Sequence, residues 1–361
     1  METRSDVTII GGGIIGCTLA DTLCQQSLSV RIIDAGEEVP AATHSAAGML
    51  APSAEFGSTD NPVTAMGLAS LEAWPALAER LKAITGIDPD FRPFGTLTLT
   101  RRDAGAPCPS QPTRQPKAIT AYPDLDFTGL DTDFVAHEAQ IDPVLTLRAL
   151  RAVLSTHKTF TWTTDQVSSV IEATGTSASV QTRTGKRYDA GALVFANGAG
   201  LSRIDTSFEL PTIVPVKGAA LALEHPLPVG FPVVRSGAVY LCPRSDGRLI
   251  VGASEQPGDA SLTVDAAIID DLRQRATALL PALASSHEHH RWAGVRPGTP
   301  DHTPYIGRSD TAPPSILFAV GHYRNGILLA PETARLITDQ LCSPSPGPVP
   351  AAFAPHRALT P

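Results

Sequence analysis

Arginine, tyrosine and a spaced set of glycines are the residue types in this chain arranged so that they could do chemistry. The run Trp292-Ala-Gly-Val-Arg-Pro-Gly-Thr-Pro-Asp301 sets Arg296 at the end of a strand, just before a rigid Pro-Gly turn. A guanidinium holds five donors in one plane, which is the geometry that grips a carboxylate through two parallel bonds. Arg324 lies between Gly321 and Asn325-Gly326, so its loop can approach a flat ligand while the side chain enters a cleft. Tyr240, in Val239-Tyr-Leu241, can donate a phenolic hydrogen bond to the same carboxylate. Each has a plainer alternative. The arginines could make surface or interdomain ion pairs, and the tyrosine could be a half-buried strand aromatic.

The glycines point to a nucleotide. In Asp6-Val-Thr-Ile-Ile-Gly-Gly-Gly-Ile-Ile-Gly16 a short apolar strand runs into a tight turn and then a helix. Gly11 allows the turn, Gly13 lets backbone approach a pyrophosphate, and Gly16 lets helix pack on strand, so a diphosphate would lie on the helix N-terminus. Ile14 and Ile15 open that helix. Asp34 closes the second strand at roughly the 20-residue offset where a carboxylate takes the ribose hydroxyls of an adenosine, with Ala35 beside it. Further on, Ala41-Ala-Thr-His-Ser-Ala-Ala-Gly-Met-Leu-Ala-Pro52 is rich in small residues, marking backbone that lies close to something flat or bulky. The alternative there is a tightly packed Ala/Gly helix start with Ser45 near its cap. Asn197-Gly-Ala-Gly200, leaving a buried strand, is a second place where backbone can approach the nucleotide.

The elements that must position these residues follow from periodicity. Met66, Leu68, Leu71, Trp74, Leu77, Leu81 and Ile84 predict a helix over 62–86, interrupted or restarted near Pro75. Residues 94–100 alternate as a strand, 101–116 form a Pro-rich loop with an incidental Cys108, and an Asp-Pro entry opens a helix over 141–154. Strands are predicted at 160–163 and 167–171, a hairpin at 178–189 turning at Thr184-Gly185, and a separate buried strand at 192–196. Short strands at 214–223, 233–235, 238–243 and 249–253 predict an antiparallel layer, interrupted by a helix over 264–280. A buried strand at 316–320 leads to a helix over 331–341, and a Pro/Ala-rich tail follows from Ser343. The fold class expected is α/β, with an α+β second domain: a Rossmann-like nucleotide domain (1–61, 120–210, 304–361) interleaved with an antiparallel-sheet substrate domain (62–119, 211–303). The reactive end of the cofactor then belongs at the seam.

Composition narrows the partners. Across 361 residues, 28 Lys+Arg against 36 Asp+Glu give a net charge of -8, and no basic stripe argues for nucleic acid. Five scattered cysteines without a Cys-x-x-Cys pair argue against a disulfide framework or zinc site, and suit a reducing cytoplasm. No apolar run reaches the ~18 residues a membrane span needs, and no signal-peptide apolar region precedes the first strand. His287, His289 and His290 lack the helical pairing of a hydrolytic zinc site and are expected in a solvated polar loop, so no metal is assigned. There is neither a Gly-x-Ser-x-Gly elbow nor a phosphate-binding loop ending Gly-Lys-Ser/Thr.

Asp6 to Gly16, Ser45-Ala-Ala-Gly-Met-Leu-Ala-Pro52, Val216-Lys-Gly218, Trp292-Ala-Gly-Val-Arg-Pro-Gly-Thr299 and Gly321-His-Tyr-Arg-Asn-Gly-Ile-Leu-Leu-Ala-Pro331 give the chain a likeness over nearly its whole length. It resembles the D-amino-acid oxidase family of flavoproteins, and within it the glycine oxidases of thiamine biosynthesis. The resemblance implies noncovalent FAD, with Asp34 on the adenosine ribose and Val167 near the adenine. It places Thr43, His44, Ser45, Ala47, Gly48, Met49, Asn197 and Gly198 in the cofactor set, and His322, Tyr323, Arg324, Asn325, Gly326, Ile327 and Leu328 along the flavin. Arg296 would clamp the substrate carboxylate, helped by Tyr240 and Arg324. The chemistry implied is oxidation of an amino acid at its α-carbon by hydride transfer to flavin, imine hydrolysis, and return of the electrons to O₂ as hydrogen peroxide, with no side-chain base. A homo-oligomer is also suggested. Ala238 and Glu255 depart from the pattern, which leaves glycine, sarcosine or a small D-amino acid open as substrate. The competing readings are an amino-acid dehydrogenase that passes electrons to a quinone or other carrier, and a non-enzymatic flavin-binding protein.

Overall fold

The computed structural model describes residues 4–36, 42–56, 61–101 and 122–357. The chain begins with β1 (Arg4–Ile10), α1 (Ile14–Gln25) and β2 (Val30–Asp34), followed by short α2 (Ala42–Ser45), β3 (Met49–Leu50) and α3 (Pro52–Phe56). Then come α4 (Pro62–Thr85), β4 (Thr96–Arg101), β5 (Leu130–Val135), β6 (Ala139–Gln140) and α5 (Pro143–Leu154). The middle of the chain adds β7 (Phe160–Thr164), β8 (Val167–Ala173), β9 (Ala178–Thr182) and β10 (Arg187–Phe195), with a 3₁₀ turn over Gly198–Arg203. It continues with β11 (Val214–Glu224), β12 (Val233–Ser236), β13 (Val239–Pro243), β14 (Arg248–Gly252) and β15 (Gln256–Pro257). The last elements are α6 (Ala266–Leu279), β16 (His287–Gly298), β17 (Tyr305–Arg308), β18 (Ile316–Val320) and α7 (Gly326–Cys342).

Two sheets result. The first has the order β17-β18-β10-β1-β2-β7, in which β18, β10, β1, β2 and β7 run parallel. All five residues of β18 are buried, as expected for a strand covered on both faces. Helices α1, α4, α5 and α7 share one core with this sheet, built around Ile9, Leu19, Leu23, Trp74, Leu150 and Ile337. The second sheet has the order β15-β11-β14-β13-β12-β4-β5, with β16 on β11 through a long antiparallel ladder. Its pairings are antiparallel except β12 with β4. Leu221, Leu241 and Val251 of this sheet pack with Ile269 and Leu272 of α6.

Several expectations change. Helix α4 is continuous through Pro75: Asn61 caps it by accepting from Val63 N at 2.9 Å, Pro62 opens it, and Gly86 closes it at φ 72°. Burial of Leu71, Trp74, Ala78 and Leu81 outweighs the lost backbone bond. The helix expected from Pro331 starts at Gly326 instead. A proline in a helix interior disturbs the preceding turn, and here α4 repairs it: Ser70 Oγ (2.6 Å) and Trp74 Nε1 (3.0 Å) donate to Leu328 O, while Ser70 Oγ accepts from Glu332 N at 3.2 Å. The second arm of the expected hairpin and the buried strand after it are one strand, β10. It pairs antiparallel with β9 and then parallel with β1, passing through Gly191, where an added Cβ would lie 2.8 Å from Asp6 O. The histidine run is the exposed start of β16 rather than a loop.

The chain also crosses between layers elsewhere than expected. β5 pairs with β4 in the second sheet, so 130–135 leave the segment 120–210 assigned to the nucleotide domain. α4 packs in the first core, although 62–119 was assigned to the other domain. The Pro-rich loop and Cys108 lie outside the described residues. The tail returns to the surface of the first layer, where Phe353 is buried and Arg357 stacks over the Tyr305 ring at 4.2 Å.

Candidate functional site

A cavity of about 590 Å³ opens where the carboxyl ends of β1, β2, β10 and β18 meet the face of β11, β13 and β16. At one end, Gly11 takes φ 106°, and an added Cβ would fall 2.6 Å from Ala196 O, so only glycine fits. Gly13 is the N-cap of α1 but offers no side-chain cap; Ile14 N donates instead to Thr43 Oγ1 at 3.0 Å. The Asp34 carboxylate accepts from Gly12 N at 2.6 Å and Gly36 N at 2.9 Å, which fixes it at the rim. The Oδ1 of Asn197 and the Tyr323 hydroxyl are buried and find no hydrogen-bond partner among the described residues.

The segment 45–49 forms the middle of the wall, and the second sheet holds it. Trp292 Nε1 donates to Ser45 O at 3.1 Å, Arg244 donates to Ala47 O, and Cys242 Sγ lies 3.4 Å from the same oxygen. Gly294 of β16 makes room, because a Cβ there would strike the Ser45 side chain. Gly48 takes φ 77° and its O accepts from Ile141 N at 2.9 Å.

Arg296, Tyr240, Arg324 and Arg235 gather at the other end. The Arg296 guanidinium lies over Gly218, where any Cβ would collide with it, and Nη1 donates to Ser254 O at 3.2 Å. No carboxylate among the described residues pairs with it. Burial lowers its pKa, partly offset by Tyr240, yet a guanidinium stays protonated. The Tyr240 ring lies over Gly252, its cross-strand partner. Burial pushes its phenol up to about 12, so it remains a donor at neutral pH. Arg324 binds Glu255 at 2.5 Å and lies 3.9 Å from Glu55, which also binds Arg235 at 3.0 Å. His322 is buried, its pKa is pushed down to about 3 by burial, and its Nε2 lies 3.0 Å from Thr333 Oγ1. The imidazole therefore faces the cavity neutral.

Three of the expected cofactor residues do not line the cavity. Gly16 serves packing, since a Cβ there would strike Gly11 O. His44 is exposed on α2. Leu328 is buried in the first core with its carbonyl turned to Ser70 and Trp74. The other expected residues all line it, from Gly11, Gly13, Ile14, Ile15, Asp34 and Ala35 to Val167, Gly198, Asn325, Gly326 and Ile327. Glu55 and Arg235 were missed. Arg235 could have been found, since it stands directly opposite Tyr240 in the β12–β13 hairpin, but nothing in the sequence ties Glu55 to it.

A family profile described as DAO, FAD dependent oxidoreductase, matches residues 6–340. The chain belongs to this family. Over 355 residues this DAO-family chain is 31% identical to a glycine oxidase of Geobacillus kaustophilus, covering 94% of the chain and 93% of that protein. It is 34% identical over 377 residues to the bifunctional protein ThiO/ThiG of Synechocystis, covering all of the chain but only 55% of the longer protein. The crystal structure of glycine oxidase from Geobacillus kaustophilus superposes with a TM-score of 0.89 at 28% identity, covering 99% of the chain and all of that structure.

The cavity of this DAO-family chain fits FAD. The open N-terminus of α1 with Gly11 and Gly13 would take the diphosphate, and Asp34 the ribose. The 45–49 and 321–327 segments would flank the ring system, with the unpaired Asn197 Oδ1 available as an acceptor.

Proposed function

We propose that this FAD-dependent oxidoreductase oxidises glycine or a close relative such as sarcosine or a small D-amino acid. Amino acid, O₂ and water would give oxo acid, hydrogen peroxide and the free amine (ammonia from a primary amino acid, methylamine from sarcosine), in the service of thiamine biosynthesis. The observation that supports this best is Arg296: a half-buried guanidinium with no carboxylate partner among the described residues, set beside a protonated Tyr240 in the cavity that would take the flavin. Bound FAD supplies the two-electron redox chemistry. The residues of the chain bind and orient: Arg296 takes the substrate carboxylate through two charge-assisted bonds, and the Tyr240 hydroxyl donates a third. Gly218 and Gly252 give those side chains their space. Neutral, buried His322 adds no charge to compete for the carboxylate. A cytoplasmic setting agrees with buried free thiols at Cys17, Cys24 and Cys242.

The test uses the purified yellow holoprotein. Glycine should bleach the flavin without oxygen and yield peroxide with it. Bleaching without peroxide would move the reading to a dehydrogenase, and no bleaching by any small amine would end the enzymatic one.

A further inference from the structure

The charges around Tyr240 do not balance, and the imbalance carries information about the substrate. Arg235 is the cross-strand partner of Tyr240, and Arg296, Arg244 and Arg324 act electrostatically on its phenol; Arg244 has its own carboxylate in Asp142 at 3.5 Å, which leaves Arg235, Arg296 and Arg324 to be balanced. Against these three cations stand two carboxylates, Glu55 and Glu255, both close enough to act on Arg296. They are already committed. Glu255 holds Arg324 at 2.5 Å, and Glu55 holds Arg235 at 3.0 Å while reaching Arg324 at 3.9 Å. Only the Arg296 guanidinium lacks a carboxylate among the described residues. Glu138, on which Arg235 also acts, keeps its proton below about pH 7 because of burial, so there one positive charge is left over.

We propose that Glu255 and Glu55 set the charge of the substrate, so that the site takes amino acids with a single carboxylate and turns away those with a second anionic group. This deepens the amino-acid reading above and rests on it. The reason is electrostatic. Arg324 is the natural seat for a distal anion, and a second carboxylate must break its bond to Glu255 while approaching two negative charges. Glu255 acts through Arg324 and is a positioning residue rather than a catalytic one. The Glu55–Arg235 pair is well buried, with side chains 9% and 14% exposed, whereas Arg324 and Glu255 are 36% and 37% exposed. The outer pair is thus the one a substitution can release without leaving a fully buried charge unpaired.

The experiment measures binding to the FAD-loaded protein by calorimetry, with acetate, malonate and monomethyl malonate as probes. Monomethyl malonate is larger than malonate but carries one charge, so it separates charge from size. In the natural protein malonate should bind at least about tenfold more weakly than the two monoanions, a modest fraction of what like-charge contacts cost. In Glu255→Gln malonate should gain at least about tenfold, by release of Arg324, while acetate changes by less than about threefold. With iminodiacetate as an oxidisable amino acid that carries a second carboxylate, the same variant should lower KM and leave kcat in place, which a merely structural role of Glu255 would not do. Malonate binding as well as the monoanions to the natural protein would overturn the proposal without any variant. So would a Glu255→Gln shift equal for all three probes. If acetate itself fails to bind while glycine still bleaches the flavin, the carboxylate anchor fails and the charge rule with it, but the oxidase reading survives.

Discussion

Arg296 has no counter-charge among the described residues. Its one side-chain bond goes to Ser254 O at 3.2 Å, and burial without a counter-charge lowers its pKa. A bound carboxylate would relieve that cost, so affinity should concentrate on this residue. Arg296→Ala is expected to lower kcat/KM for glycine by a factor of roughly 100 to 1,000, about 3 to 4 kcal/mol, through KM more than kcat. Arg296→Lys should recover only part of it, because an ammonium cannot grip both carboxylate oxygens in one plane. Steady-state kinetics with FAD content measured in parallel checks this; a variant that keeps its FAD and its KM would remove the anchor role. Arg296 and Arg324 could be singled out in the sequence because glycines stand near them, and Tyr240 because its phenol sits in a short strand, Val239-Tyr-Leu241. Leu328 and His44 do not line the cavity: motif adjacency says nothing about which way a side chain faces, and α7 turns Leu328 into the core while His44 is exposed.

At the scale of elements, the site depends on strands that carry glycine opposite a functional side chain. Gly218 on β11 leaves the space that the Arg296 guanidinium fills, and the colliding atoms are the far end of a flexible side chain. Gly218→Ala should therefore fold, with a melting temperature within a few degrees of the natural protein, yet raise KM for glycine by about tenfold as the guanidinium is displaced. Near-normal KM would show that the strand relaxes around the methyl. Another element, α3, is pinned by Glu138, whose Oε1 accepts from Ser53 N at 2.8 Å and Ala54 N at 2.9 Å. Burial pushes the Glu138 pKa up from 4.5 to about 7, against the lowering by Thr96 and by the backbone of Ala54 and Ser53. The folded state then holds a proton that the unfolded chain has released. Stability tied to Glu138 is full below about pH 4.5 and is lost as pH rises through about 7, by up to about 3 kcal/mol. Glu138→Gln should raise the melting temperature at pH 8 and change it little at pH 4.5. An equal effect at both pH values would mean the gain has nothing to do with ionisation. The elements themselves were mostly readable from periodicity. Two of the errors sit at Pro75 and Pro331, where burial in tertiary contacts and the Ser70–Trp74 pair override a local breaker that sequence rules weigh alone.

Over the whole molecule, the nucleotide half was the readable one, because a glycine turn after a parallel strand has one physical reason to exist, whereas the crossing points between layers leave no such mark. β5 returns to the second sheet through long-range pairing with β4, which no local pattern announces. The cavity is also a property of the whole. Its lining comes from the turn after β1, from 45–49, from 321–327 and from β11, β13 and β16, so FAD bound there would touch both layers at once. Binding confined to the folded state stabilises it by about 4 kcal/mol at free ligand 1,000-fold above Kd. Removing FAD should therefore lower the melting temperature by several degrees, and the loss should not be confined to the nucleotide half. Hydrogen exchange ought to rise in the 11–16 turn, in 45–49 and in β16 around Arg296 together, since Trp292 and Gly294 of β16 hold Ser45. Re-adding FAD should restore protection in all three. Faster exchange in the 11–16 turn alone would show that the two layers hold their arrangement without the cofactor, and that the substrate end of the cavity is already formed before FAD arrives.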